Sequence, residues 1–348
     1  MIFDSESVFE DNVITVLKQH GWKDGVLRYP TEQDLLDNWK GILYRNNNDI
    51  DRLGKYPLTD GEMAQIIEQI ETLRTPLALN SFVNGRTVSI TRDNKEDVAH
   101  FGKEISLYIY DRKEIAGGKS TYQIAQQPVY PAKNKMLNSR RGDLVLLING
   151  MPLIHIELKK SGIPVSQATN QIEKYTHEGV FTGLFRLVQI FVAMNPDDAV
   201  YFANPGVDKF NPSYYFHWAD YNNEPICGGQ NPGKDEWKLF IGGTSGTAGL
   251  LSIPMAHQLI GFYTIADSAD GCLKVLRSYQ YIAANAISDV VRKCDWEQRP
   301  TTPGRPGGYV WHTTGSGKTM TSFKSAQLIA DSHDADKVVF LMDRIELG

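Results

Sequence analysis

Residues 142–160 read GDLVLLINGMPLIHIELKK. Two apolar runs of the kind that fill the middle of a buried sheet flank the turn pair Asn149-Gly150, so the stretch is expected to form a β-hairpin. Charge sits only at its ends: Asp143 opens the first run, and Glu157, Lys159 and Lys160 close the second. Side chains alternate along a strand, so Glu157 and Lys159 leave one face while Ile156 and Leu158 enter the core on the other. Two carboxylates beside an ammonium group fit a hard cation, because magnesium takes oxygen ligands and keeps several waters. Such a cation polarises a scissile phosphate and lowers the pKa of a bound water, and Lys159 would orient that water or offset developing charge.

The hairpin carries its own geometric condition. With a plain two-residue turn, position 148 faces 151 and 143 faces 156, which puts Asp143 and Glu157 on opposite faces. A shared cation therefore requires a three-residue loop or a β-bulge between Leu144 and Ile156.

Outward from the hairpin, SESVFEDNVITVLKQHGW near the N-terminus places Phe9, Val13, Val16 and Leu17 at helical spacing, with Gly21 as a stop. A polar, loop-rich stretch leads to a second helix, about Glu62 to Leu73. Asn80 to Tyr130 reads as antiparallel strands, with a hairpin turn at Asn84-Gly85, and residues 142–160 continue that sheet. A helix from about Pro164 to Thr176 and the buried strands LVQIFVAMN and AVYFANP complete a mixed α/β domain over about 1–206. Residues 207–254, rich in Asn, Pro, Gly and aromatics, read as a connector with little regular structure. A second domain opens at about 255 with two helices and continues as strand, Gly-rich loop, helix and strand through YVWHTTGSGKTMTSFKSAQLIADSHDADKVVFLMDR, the βαβ unit of a parallel sheet.

That Gly-rich loop has the context a phosphate-binding loop needs, following an apolar strand and opening a helix. Thr314, Gly315, Ser316 and Gly317 would turn backbone N–H groups around a polyphosphate at a helix N-terminus; Lys318 would reach the β and γ phosphates, and Thr319 would hold magnesium. The usual pattern GxxxxGK(S/T) asks for glycine where His312 stands. Upstream, Gln280, with Arg277 and Tyr279, offers an amide that can pair with both edges of adenine.

At 348 residues, the chain exceeds what one simple core holds. A composition of 41% hydrophobic and 22% charged residues is globular. No apolar run approaches membrane-spanning length, and the acidic start lacks a signal-peptide pattern, so a cytoplasmic protein with no membrane contact is expected. Cys227, Cys272 and Cys294 show no CxxC spacing, which argues against a disulfide framework or structural zinc. The net charge of −5 means that any nucleic-acid contact must be local, and Lys133, Lys135, Arg140 and Arg141 form the one local candidate.

Gly142-Asp143 followed by Glu157-Leu158-Lys159 resembles the PD-(D/E)xK nucleases, with glycine in place of the leading proline. That resemblance implies a further acid on the first helix, Glu10 ahead of Glu6, and a QxxxY element, matched by Gln171 and Tyr175 on one helical face. TGSGKT resembles the phosphate loop of superfamily 2 helicases, in which a Gln such as Gln280 contacts adenine. The two in this order, with RRGDLVLLINGMPLIHIELKK, ATNQIEKYTHEG, FHWAD, LRSYQYIAANAI and VWHTTGSGKTMTSFKSA, resemble the restriction subunit of type I restriction enzymes. The resemblance implies a restriction-endonuclease-like mixed sheet flanked by helices, then an incomplete RecA-like P-loop domain. It also implies magnesium and ATP as cofactors, double-stranded DNA as substrate, and methyltransferase and specificity subunits as partners. The sequence stops before any DExx box, so ATP hydrolysis by this chain alone is not expected. The rival reading is a non-cleaving DNA-dependent ATPase or remodelling factor whose nuclease-like domain serves only for binding.

Overall fold

A computed structural model describes residues 2–115, 117–131, 140–207, 209–229, 235–268, 271–293 and 307–341. The chain divides into two compact units, Met1–Val275 and Leu276–Gly348.

The first unit runs α1 (Glu6–Gln19), β1 (Val26–Arg28), α2 (Glu32–Asn46), α3 (Asp60–Thr72), α4 (Pro76–Asn84), β2 (Thr87–Thr91), β3 (Glu104–Tyr108), β4 (Tyr122–Gln126), β5 (Leu144–Ile148), β6 (Met151–Leu158), α5 (Val165–His177), β7 (Ile190–Met194), β8 (Ala199–Ala203), α6 (Glu236–Gly242), α7 (Met255–Phe262), β9 (Thr264–Asp267) and β10 (Cys272–Val275). Six strands make a mixed sheet in the order β1-β4-β5-β6-β7-β8. β1 runs parallel to β4 and β6 parallel to β7, while the remaining neighbours are antiparallel. β5 and β6 are buried along their whole length, as their unbroken apolar runs require. α5 covers one face, its Ala168 and Ile172 packing with Phe191, Val200 and Phe202 of β7 and β8.

α1 starts at Ser5, whose hydroxyl accepts the Val8 N–H, and buries Phe9, Val13, Ile14 and Leu17. α2 occupies a stretch for which no element was expected, directly before the polar stretch that begins at Tyr44. Its stripe of Leu35, Trp39, Ile42 and Leu43 is buried, and Thr31 and Asp34 close a capping box. Asn84-Gly85, expected as a hairpin turn, is instead the end and cap of α4. β2 and β3 pair only with each other, so the expected continuous sheet from Asn80 to Tyr130 is two sheets.

The expected connector is largely integral to this unit. Trp237 of α6 packs edge-on against Phe9 at 5.2 Å. The indoles of Trp22 and Trp218 donate to the carbonyls of Leu251 and Ala248. His257 of α7 accepts or donates at Nδ1 to Tyr122 Oη at 2.8 Å. The buried aromatics, absent from any simple periodicity, turn a Gly- and Asn-rich segment into core, and the unit extends to Val275 rather than to 206. Cys227 is a buried free thiol; Cys294 lies outside the described residues.

The second unit contains α8 (Ser278–Lys293) and α9 (Lys318–Ser332). α9 begins directly after the glycine pair, as expected, but among the described residues the flanking segments 309–313 and 337–341 form no strand. Tyr309, Trp311, Val339 and Leu341 are exposed. Parallel strands gain their ladder and burial only from sheet neighbours, and two apolar segments alone are not enough to form one.

Candidate active site

The turn is a two-residue one, with Asn149 at φ +53° and Gly150 at φ +83°, the left-handed pair a tight hairpin requires. Ile148 faces Met151 and Leu147 faces Pro152, but Leu146 faces Ile154, so Leu153 is an extra residue. The bulge sits beside Pro152, which has no N–H to give to the ladder; a proline inside a central strand is a sequence sign of this irregularity. Beyond the bulge Leu144 faces Ile156, which brings Asp143 level with Glu157. The geometric condition for a shared cation is met.

Asp143 Oδ2 accepts the Leu158 N–H at 2.6 Å. Burial pushes the Asp143 carboxyl well above its ordinary range, and the Glu157 charge adds to the effect. Burial likewise pushes Glu157 up to about 8, although Lys159 opposes the shift. Both Glu157 oxygens are buried with no hydrogen-bond donor among the described residues. Lys159 Nζ is 3.7 Å from Glu157 Oε1 and 3.6 Å from Glu6 Oε1, and it donates to the Leu158 carbonyl at 2.9 Å.

α1 brings Glu6 and Glu10 to this edge on successive turns. Glu10 is buried and close enough to Asp143 to raise its pKa. Its own pKa is raised by burial, and the side-chain amides of Gln126 and Gln127 donate to it at 2.6 and 3.2 Å. Gln127, at φ +50°, also gives its backbone N–H to the Asp143 carbonyl at 2.7 Å. These two glutamines, the last residue of β4 and the one after it, carried no sequence signal.

Gln171 and Tyr175 of α5 form one unit. Gln171 Nε2 donates to Tyr175 Oη at 2.6 Å, and that hydroxyl donates to the Arg141 carbonyl at 3.0 Å. The pair therefore grips the backbone two residues before Asp143. Arg140 makes a two-pronged contact with Glu178, 2.9 Å for each bond, so its charge is already answered; Arg141 lies exposed with its guanidinium 5.8 Å from the Tyr29 ring centre. Lys133 and Lys135 lie outside the described residues.

Behind Glu157, His155 is fully buried, with Nε2 3.2 Å from Glu157 Oε2 and Nδ1 2.9 Å from Tyr130 Oη. Burial pushes this imidazole down to about 4, so it is neutral near pH 7. A histidine in an apolar strand reads as core, and its two residues of separation from Glu157 were the only sign that both share a face.

Among the described residues no three His, Cys, Asp or Glu groups converge on one point. What the site offers is two level carboxylates, one with both oxygens lacking donors. That set suits a cation that keeps much of its water shell.

In the second unit, Gly315 and Gly317 have φ of +78° and +81°, and Lys318 opens α9. Gln280 accepts the Arg277 N–H and donates to the carbonyls of Ser316 and Gly317 at 3.4 and 3.3 Å. Tyr279 Oη donates to the Ser316 carbonyl at 2.8 Å and accepts from the Arg277 guanidinium at 3.1 Å. His312, where glycine is usual, pairs with Ser316 Oγ at 2.9 Å. Thr314 and Thr319 flank this cluster. Arg277, Gln280 and the loop are thus brought together.

Residues 4–210 match the family described as type I restriction enzyme R protein N terminus. The chain belongs to this family. Within it, the type I restriction endonuclease subunit SsaAORF53P of Staphylococcus saprophyticus is 31% identical over the whole chain, which covers 32% of that subunit. The SauCOLORF180P subunit of Staphylococcus aureus strain COL is 32% identical, again over the whole chain and 32% of the relative. The EcoprrI endonuclease subunit of Escherichia coli is 26% identical over 90% of this chain and 99% of the relative. The chain thus spans about a third of the length of the staphylococcal members of the family. Residues 279–348 also match the SWI2/SNF2 ATPase family, so a helicase-like ATPase element follows the restriction-family region. Among the described residues no helix is long and apolar enough to cross a membrane.

Proposed function

We propose that this chain supplies the DNA-cutting centre and the opening of the ATP-driven motor of a cytoplasmic type I restriction system, acting with methyltransferase and specificity subunits. On this reading the first unit is a restriction-endonuclease-like domain of the PD-(D/E)xK type, and the second begins a RecA-like domain. The observation that carries the proposal is the bulge at Leu153, which sets Asp143 level with Glu157 beside Lys159. A purely structural hairpin gains nothing from setting two carboxyls side by side where burial raises the proton affinity of both and the Glu157 charge raises that of Asp143 further.

Asp143 and Glu157 would hold magnesium, which when bound polarises the phosphate and acidifies water. The Leu158 N–H keeps Asp143 from turning away. Lys159, almost buried and near Glu157 Oε1, presents an ammonium to the scissile phosphate and to the charge that grows on it during hydrolysis. Tyr175, through the Arg141 carbonyl, fixes the strand entry that aims Asp143. Arg141, with Lys133 and Lys135 nearby in sequence, would contact backbone phosphates of double-stranded DNA, a sequence-independent and salt-sensitive contribution. Gly315, Gly317, Lys318 and Thr319 would hold the phosphates and magnesium of ATP, with Gln280 and Arg277 at the adenine side.

The decisive experiment puts Asp143→Ala and Lys159→Ala into the full-length, assembled complex with magnesium. Loss of cutting with ATP turnover retained is the expected result; undiminished cutting refutes the nuclease assignment. The match to SWI2/SNF2 ATPases keeps a second reading in play, a non-cleaving DNA-dependent ATPase. Under it both variants leave every activity unchanged.

A further inference from the structure

Gly142 stands where the PD-(D/E)xK pattern has proline, and its surroundings account for the glycine. A Cβ at this position would lie 2.5 Å from Tyr130 Oη and 2.9 Å from His155 Cε1. The backbone leading into Asp143 therefore passes directly over the Tyr130–His155 pair. That pair is enclosed by Phe181, Phe185 and Phe191, with ring centres 4.6–6.0 Å away.

His155 and Glu157 project from one face of β6. Tyr130 Oη has His155 Nδ1 at 2.9 Å, and on the opposite side of the imidazole Nε2 lies 3.2 Å from Glu157 Oε2. With the phenol hydroxyl donating to Nδ1, the ring proton stands on Nε2, pointed at the carboxylate. Neither Nε2 nor Glu157 Oε2 has a hydrogen-bond partner aligned among the described residues, so 3.2 Å is a contact out of line, with both groups still available. Lys159 lies on the other side, 3.7 Å from Oε1.

From this arrangement we infer that Tyr130 and His155 are positioning residues for the cation site. A small turn brings His155 Nε2–H into line with Glu157 Oε2 when the cation is bound, Tyr130 fixes the imidazole in the tautomer that can do so, and Oε1 is left for the cation. The inference rests on the metal-site reading of Asp143 and Glu157. Partners behind a ligand orient it and tune its affinity, and their loss weakens metal binding by about ten- to a hundred-fold. Gly142 is the room this layer needs.

The test uses the 348-residue chain and manganese as the probe, with free ion counted by electron paramagnetic resonance. Wild-type uptake that Asp143→Ala abolishes is expected; no uptake by the wild type overturns the metal site and this inference together. With the site established, His155→Phe keeps the ring volume and removes both contacts, and should weaken uptake by about ten-fold or more. His155→Gln can accept from Tyr130 through its oxygen and donate to Glu157 through its nitrogen, and should restore most of the affinity. Wild-type affinity in His155→Phe, or equal loss in His155→Gln, overturns the inference while leaving the metal site standing. Should His155→Phe fail to fold, Tyr130→Phe, which loses one hydroxyl, decides by the same titration: a clear loss supports the inference and unchanged affinity refutes it. Two-bond proton–nitrogen spectra of the wild type should place the His155 proton on Nε2; a proton on Nδ1 overturns it.

Discussion

The Leu158 N–H donates to Asp143 Oδ2 across 2.6 Å, from the strand that carries Glu157 to the residue that opens the preceding strand. The bond locks one carboxylate beside another at the buried end of the hairpin. Asp143→Asn keeps an oxygen for this N–H while removing the charge that opposes Glu157. We expect the variant to melt higher than the wild type without metal, by an amount on the order of 1 kcal/mol, and to lose DNA cutting in the assembled complex. Thermal melts of the two chains side by side decide it; a lower-melting Asp143→Asn counts against the buried repulsion.

Proton binding gives the next prediction its sign. Glu157 is raised from 4.5 to about 8 in the fold, and Asp143 is raised as well. The folded protein therefore holds protons that the unfolded chain has released, and stability falls as pH climbs from about 5 to about 8. One proton makes the slope at most about 1.4 kcal/mol per pH unit. If the pair holds magnesium as proposed, the cation would take the proton's place, and saturating magnesium should flatten the slope. Urea unfolding across this range, with and without the cation, measures both; a rise in metal-free stability towards pH 8 contradicts the assignment.

Tyr175 holds the Arg141 carbonyl and is itself held by Gln171. Tyr175→Phe should cost about 1 kcal/mol of stability and reduce cutting, because the entry to Asp143 loosens. Gln171→Ala acts through the same hydroxyl. The double variant should therefore fall short of the sum of the single effects, and strict additivity would separate the two residues.

The two arginines before the hairpin should behave differently on DNA. Arg140 is committed to Glu178, whereas Arg141 is exposed. Arg141→Ala should lower the salt dependence of DNA binding by about one unit of log–log slope. Arg140→Ala should leave that slope nearly unchanged. Titrations at several salt concentrations test this, and equal slopes for the two variants would refute it.

The hairpin was legible in the sequence because its alternation, its Asn-Gly turn and its charged ends are local, and because a shared cation demanded either a three-residue loop or a bulge. Gln171 and Tyr175 were legible as a pair through the resemblance to the QxxxY element, whose four-residue spacing sets both on one helical face. α2 carried readable signals, the Thr31–Asp34 capping box and the Leu35-Trp39-Leu43 stripe, hidden between polar flanks. Asn84-Gly85 was ambiguous, because the dipeptide that closes a hairpin also ends a helix. Gln126, Gln127, Tyr130 and His155 were not legible as site residues. Their role depends on distances between segments, and a buried histidine on a strand looks the same in sequence whether or not a carboxylate stands beside it. The place of 207–275 within the first unit was hidden for the same reason, since its anchors are single aromatics meeting residues far away in the chain.

Leu153 adds one residue to β6 without altering which residues face each other on either side of it. Removing that position would leave Ile154 facing Leu146 and Glu157 level with Asp143, now along an unbroken ladder. The bulge thus acts as a length adapter: the spacer between the two carboxylates can lose one residue while their pairing across the strands stays fixed. Loss of the single position Leu153 is thus the length change that this hairpin's register absorbs with the two carboxylates still level.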